Sequence, residues 1–196
     1  MSSPASVLVL DTCVLLSNVL RRLLLQMAAQ SCFKPVWSAV IADEWQRNAR
    51  KLWKYFPQSI QEQWAELEKA FPHANLGVVE QYKQGLQYSD PKDWHVIAAA
   101  RAAQQQWPDL QVGILTRNIK DFNRSELRRL GVHLYEPDDY LHRLALESPL
   151  LMTQLLNQLP TMMVTPEAQA MPTYELLRRD RLYRLAQFYQ KQEERV

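Results

Sequence analysis

Four apolar residues in a row, Val7-Leu8-Val9-Leu10, run into Asp11 near the start of the chain. So short an unbroken run suits a strand buried on both faces of a parallel sheet. An apolar-rich helix is predicted next, from about Leu15 to Ala29. Pro35-Val36-Trp37 reads as a second short strand, with Ser38 placed to cap the helix after it. On that helix Ala42, Trp45, Ala49 and Leu52 recur at three- and four-residue intervals, with Trp53 beside them, which makes one apolar stripe. A third helix, after Pro57, runs through Trp64 and Leu67 to Phe71, and Leu76 to Val79 is a further candidate strand.

Ser89-Asp90-Pro91 combines a capping side chain with a proline in the first turn, a helix start that leads into Val96-Ile97-Ala98-Ala99-Ala100. Val112 to Thr116 is another buried strand, Ser125 to Leu130 a helix ended by Gly131, and Val132 to Tyr135 the last strand. Strands and helices alternate, the pattern of an α/β fold with three layers (α/β/α) around a central parallel sheet. Beyond Glu136-Pro137-Asp138 the strand signals stop. Residues 1–137 are therefore expected to form the α/β domain. Residues 138–196 form a C-terminal helical extension of two or three segments, broken at Pro149, Pro160, Pro166 and Pro172. From Tyr174 the tail sets Leu177, Leu182, Leu185, Phe188 and Tyr189 against Arg178, Arg179, Arg181 and Arg184. Such a face either folds back on its own chain or docks a partner.

Composition narrows the function. Of 196 residues only four are glycine, too scattered for a phosphate-cradling loop or a dinucleotide fingerprint. The net charge of +2 does not by itself announce nucleic-acid binding. Two cysteines, Cys13 and Cys32, fit a reducing compartment and exclude a disulfide framework. The N-terminus has no basic region before its apolar run, and no run is long enough for a membrane span, so a soluble cytoplasmic protein without membrane association is expected. The histidines, His73, His95, His133 and His142, have no metal-ligand spacing.

In open parallel sheets ligands bind beyond the carboxyl ends of the strands. Asp11 directly follows the first strand. Asn118 follows the Leu115-Thr116 strand, and Asp121 comes three residues later. Asp93 lies in the first turn of the preceding helix, and Glu44 in the helix opened by Ser38. Carboxylates from separate segments thus converge at one end of the sheet. Mg²⁺ and Mn²⁺ are hard cations that take oxygen ligands and keep several waters, so a few carboxylates and a substrate phosphate suffice. Each residue also has an ordinary reading. Asp11 ends a strand, Glu44 sits on a solvated helix, Asp90 is an N-cap, Asp93 favours the helix dipole and Asp121 caps a helix.

Taken together, the stretches DTCVLL, DEW, DPKDWHVIAAA and GILTRNIKDF resemble, in order and spacing, the PIN-domain family, and within it the VapC-type ribonuclease toxins. The resemblance spans roughly residues 6 to 137. It implies a PIN-like fold and a divalent-metal-dependent endoribonuclease that cleaves structured RNA, tRNA among the candidates. It also implies the toxin half of a type II toxin–antitoxin pair, with a cognate antitoxin protein and a homodimer as partners. The catalytic set it implies is Asp11, Glu44, Asp93 and Asp121; the metal ligands are Asp11, Asp93, Asn118 and Asp121, with Mg²⁺ or Mn²⁺. The chain departs from the family at the fourth acidic position, where Asn118 stands and Asp121 is the nearest carboxylate.

RNA requires cations near these acids. Arg47, Arg50, Lys51 and Lys54 lie on or beside the helix face of Glu44, and Arg117 and Lys120 follow the strand before Asn118; all six are candidate RNA contacts. A second basic group, Arg124, Arg128 and Arg129, comes after them. The competing reading is a catalytically weak PIN-like module that binds RNA or protein. A phosphatase of the haloacid dehalogenase type is set aside, because its second aspartate falls on Cys13.

Overall fold

The computed structural model describes residues 6–53 and 57–194. Strand β1 (Val7–Leu10) is followed by a single helical turn, α1 (Thr12–Leu15), and by helix α2 (Asn18–Ala29). Then come β2 (Lys34–Val36), α3 (Ala39–Trp53), α4 (Pro57–Ala70), α5 (Trp94–Gln106), β3 (Val112–Leu115), α6 (Arg124–Arg129) and β4 (Val132–Tyr135). Five more helices follow: α7 (Pro137–Glu147), α8 (Pro149–Gln158), α9 (Pro166–Gln169), α10 (Thr173–Arg179) and α11 (Tyr183–Glu193).

The four strands form one sheet in the order β2-β1-β3-β4, every pairing parallel. Val9 stands opposite Val36 on one side and Ile114 on the other, and Leu115 opposite Tyr135. All residues of β1 and β3 are buried, which is what their unbroken apolar runs require. The α/β class read from the sequence is therefore present, with helices flanking a parallel sheet.

The chain divides into two compact units. One comprises Ala5–Leu16 with Phe33–Tyr135 and contains the whole sheet; the other comprises Ser17–Cys32 with Glu136–Val196 and is helical. In the sheet unit, α5 packs on β1 and β3, and α6 on β4. An aromatic cluster joins α3 and α4 to the end of β2. The Trp64 ring lies 5.4 Å from Trp37, edge to face, and 5.0 Å from Trp45. Trp45 is fully buried, and its indole N–H is satisfied by the carbonyl of Leu15 at 3.0 Å.

The helical unit accounts for the amphipathic tail. Leu177, Leu182, Leu185, Phe188 and Tyr189 are all buried, and α11 packs on α7, α8 and α10. The carboxylate of Asp138 accepts the backbone N–H groups of Arg184 and Leu185 at 2.8 and 3.0 Å, capping α11 from α7. The apolar face is thus used inside its own unit. No helix among the described residues is long and apolar enough to cross a membrane.

Some boundaries differ from the sequence reading. The expected helix from Leu15 is interrupted, because Ser17 turns extended and its hydroxyl accepts from Leu20 N–H to start α2 afresh. Leu76 to Val79 forms no strand. Gly77 takes a left-handed φ of +67°, and the Gly77 carbonyl is taken by Ala39 N–H. That leaves Asn75 in an isolated bridge with Trp37, and Val78 largely exposed. Leu52, expected on the buried stripe of α3, is exposed, while Ala42, Trp45 and Ala49 are buried. Among the described residues the tail holds five α-helices where two or three helical segments were expected.

Candidate active site

Asp11 leaves β1 where the strand ends, and its carbonyl begins α1 by accepting Val14 and Leu15 N–H. Its side chain is 5% exposed. Thr116, at the end of β3, donates its hydroxyl to Asp11 Oδ2 at 2.6 Å, and the Cys13 thiol donates to the same oxygen at 3.2 Å. Two neighbouring strand ends therefore fix one carboxylate. Burial, and then the charge of Asp11, push the Cys13 thiol up to about 12, so it stays a neutral donor.

Asp93 enters by a different route. Asp90 accepts Lys92 N–H at 2.9 Å through Oδ1, and its carbonyl accepts Asp93 N–H at 2.9 Å. This Asx turn with Pro91 at its start shapes the 3-10 turn Pro91–Asp93 that leads into α5. The same Asp90 donates its backbone N–H to the carbonyl of Asp121 at 2.8 Å, tying the Asp93 turn to the segment after β3. That segment is itself closed by Asp121 N–H to the Asn118 carbonyl, and by Asn118 N–H to the Thr116 hydroxyl, both at 3.0 Å.

The electrostatics follow from this convergence. Burial raises Asp93 from the usual carboxylate range to about 6, with the negative charges of Asp11 and Asp121 next in effect. Three of the sequence-predicted acids thus share one electrostatic environment. Glu44, half-buried on α3, joins it indirectly. Its Oε2 accepts the Thr12 hydroxyl at 2.9 Å and lies 3.3 Å from His95 Nε2, the latter off the line of a good hydrogen bond. His95, followed by Thr12 and opposed by burial, holds the Glu44 carboxyl below its usual range. Burial works against the charged imidazole, yet the Glu44 contact outweighs it and leaves His95 raised. The other ring nitrogen meets the Lys92 carbonyl at 2.8 Å.

The remaining sequence candidates are dispersed around this centre. Asn118 and Lys120 are exposed and Arg117 is half-buried. Arg47 pairs with Asp43 at 2.9 Å on the surface, an interaction of little energetic weight. Arg50 and Lys51 are exposed on the last turn of α3, and Lys54 lies outside the described residues. The sequence reading passed over three participants. Thr116 gave no signal beyond ending a strand. His95 stood out only as lacking metal-ligand spacing, although it comes two places after Asp93. Glu126 was not considered. It is buried on α6, with Oε1 accepting Gln87 and Tyr88 N–H at 2.8 and 3.2 Å and Oε2 accepting Ser89 N–H at 2.9 Å. It therefore anchors the loop that carries Asp90 and Asp93.

Hard carboxylate oxygens drawn together with like charge are the donor set a divalent cation of the Mg²⁺ type takes. Among the described residues, no three His, Cys, Asp or Glu side chains are close enough to enclose an ion.

A parallel four-stranded sheet flanked by helices, with Asp11, Asp93 and Asp121 acting on one another, defines an α/β protein with an acidic centre. A family profile described as PIN domain matches residues 7–120, and the chain belongs to the PIN-domain family, whose members are generally metal-dependent nucleases. No curated protein and no solved structure is detectably similar to it.

Proposed function

We propose that this protein is a divalent-metal-dependent endoribonuclease whose centre is formed by Asp11, Asp93 and Asp121, with Glu44 beside them and Asn118 at the fourth acidic position. The observation that carries the reading is the charge conflict at Asp93, a half-buried carboxylate raised to about 6 by burial, with Asp11 and Asp121 acting on it. Like charges held together with only partial compensation cost stability, and a site that receives a cation and a phosphodiester gives that cost a purpose. When bound, Mg²⁺ or Mn²⁺ supplies an activated water and neutralises charge at the scissile phosphate.

The protein's own part is positional. Thr116 and Cys13 orient the Asp11 carboxylate through Oδ2. The Asp90 turn sets Asp93 at the head of α5, and the Asp90–Asp121 backbone bond keeps the two acidic segments together. His95 and Thr12 hold Glu44 ionised, ready to accept a hydrogen bond from water or a ribose hydroxyl. Arg47, Arg50, Lys51, Arg117 and Lys120 supply positive surroundings for an RNA backbone. The nuclease chemistry falls in residues 1–137, with 138–196 as a helical extension. The VapC-like order of the motifs supports the finer reading of a toxin paired with an antitoxin and acting on structured RNA as a homodimer in the cytoplasm.

The test is incubation of purified protein with total small RNA in Mg²⁺ or Mn²⁺, beside EDTA controls and an Asp11→Asn variant. Discrete metal-dependent fragments, absent in the variant, are expected. Equal silence of both folded proteins in both metals defeats the enzyme reading. It then favours a PIN-like module that binds RNA or protein without cutting, to which the amide at Asn118 lends support.

A further inference from the structure

Tyr88, Asn123, Ser125, Arg128 and Arg129 line an open pocket of about 480 Å³. Asn123 follows Asp121 by two residues, and Tyr88 precedes Asp90 by two, so the pocket borders both acidic segments. Asn123 N–H also donates to the Ser89 hydroxyl at 2.9 Å, which joins its two walls. Tyr88 is 59% exposed, yet the backbone that carries it is pinned by the Glu126 carboxylate at Gln87, Tyr88 and Ser89. The buried acid thus presents an aromatic ring to solvent from a loop with little freedom to withdraw it. The guanidinium of Arg129 lies over this ring, 5.1 Å from its centroid, and Arg128 is exposed beside it.

We infer that this pocket is a subsite for one unpaired nucleotide of the RNA substrate, its base stacked at Tyr88 and its phosphate met by Arg128 and Arg129. The inference rests on the ribonuclease reading above and specifies the substrate at that site. A fixed aromatic face with an adjoining guanidinium is the arrangement that receives a base and its phosphate together. The amide of Asn123 and the hydroxyl of Ser125 offer hydrogen bonds to a base edge or a 2′-hydroxyl. A base inside a duplex is stacked between its neighbours and has no face to offer, so the nucleotide comes from a loop, a bulge or a single strand. Glu126 is buried and its carboxylate is turned onto three backbone N–H groups, so it is not presented to a phosphate at the surface.

The experiment measures binding apart from cleavage. Fluorescein-labelled twelve-nucleotide single-stranded RNA is titrated in EDTA with Asp11→Asn protein, and with Asp11→Asn carrying Tyr88→Ala, Tyr88→Trp or Arg129→Ala. A parallel set of oligonucleotides is made abasic at each position in turn. Loss of the Tyr88 ring is expected to weaken binding about tenfold or more, with Tyr88→Trp retaining affinity. At one position the abasic site should cost a similar factor, and cost nothing further in Tyr88→Ala. Arg129→Ala should flatten the slope of log affinity against log salt by roughly 0.7. Unchanged affinity in folded Tyr88→Ala, with no coupled abasic position, overturns the subsite while cleavage by wild type still upholds the nuclease. If Asp11→Asn binds no RNA and wild type cuts none, both readings fall together.

Discussion

Replacing Glu126 tests how the loop before Asp93 is held. The carboxylate is 4% exposed and accepts three backbone N–H groups from Gln87, Tyr88 and Ser89. In Glu126→Gln one acceptor oxygen remains, while the new amide NH₂ faces a donor. Ser89 is buried and has no water to turn to, so its unsatisfied N–H costs about 1–3 kcal/mol. Gln87 and Tyr88 are exposed and recover most of their loss from solvent. The sum for Glu126→Gln is about 2 kcal/mol at neutral pH, and more for Glu126→Ala, where all three bonds go.

The pH dependence carries a definite sign. Burial alone would raise Glu126, but the Gln87, Tyr88 and Ser89 bonds outweigh it and leave the folded carboxyl below its ordinary 4.5. The unfolded chain therefore binds its proton first as pH falls. The stabilisation is complete above about pH 5, declines as the pH passes 4.5, and is lost below the folded pKa. Urea unfolding of wild type and Glu126→Gln from pH 7 to pH 3 is the assay, joined by amide exchange at Gln87, Tyr88 and Ser89. The difference between the two proteins should shrink as pH falls, and exchange at Ser89 should quicken most in the variant. A difference below about 0.5 kcal/mol at pH 7, or one that stays constant down to pH 3, refutes the argument, since surface substitutions fall in that range.

Two further outcomes are expected. Mn²⁺ at about ten times its dissociation constant should stabilise wild type by about 1.4 kcal/mol, read as a rise in Tm of roughly 3–5 °C that EDTA reverses and Asp93→Asn abolishes; an equal rise in the variant would place the ion elsewhere. Trp45→Phe should cost about 1–3 kcal/mol in urea unfolding, because it removes the indole N–H donor to the Leu15 carbonyl and thins the contact with Trp64; a neutral result would show that the cluster repacks around the smaller ring.

What the sequence determined on its own was local. Val7–Leu10 and Val112–Leu115 had to be buried strands because they offer no polar face, and the structure buries every residue of both. The caps at Ser38 and Asp90 were legible because a short oxygen-bearing side chain reaches an N–H two or three residues on. Gly131 could be read as a helix stop, and it follows α6 with a φ of +68°. Asp11 and Asn118 could be placed at the sheet edge once their strands were known, since strand ends point where ligands bind.

Tertiary structure decided the rest, for a physical reason. A glutamate in a charged stretch looks solvated until its three partners, 37 to 39 residues away, are folded against it. The hydrogen bond of Thr116 to Asp11 spans 105 positions, and no periodicity reports a contact between strands so distant in the chain. Gly77 cost the expected strand at Leu76 to Val79 because its left-handed φ and the demand of Ala39 N–H for a partner outweighed the apolar run. Apolar spacing records which side of an element turns from water. It holds no record of which element is met there, so the strand order, the Glu126 anchor and the pairing of His95 with Glu44 exist only in the folded chain.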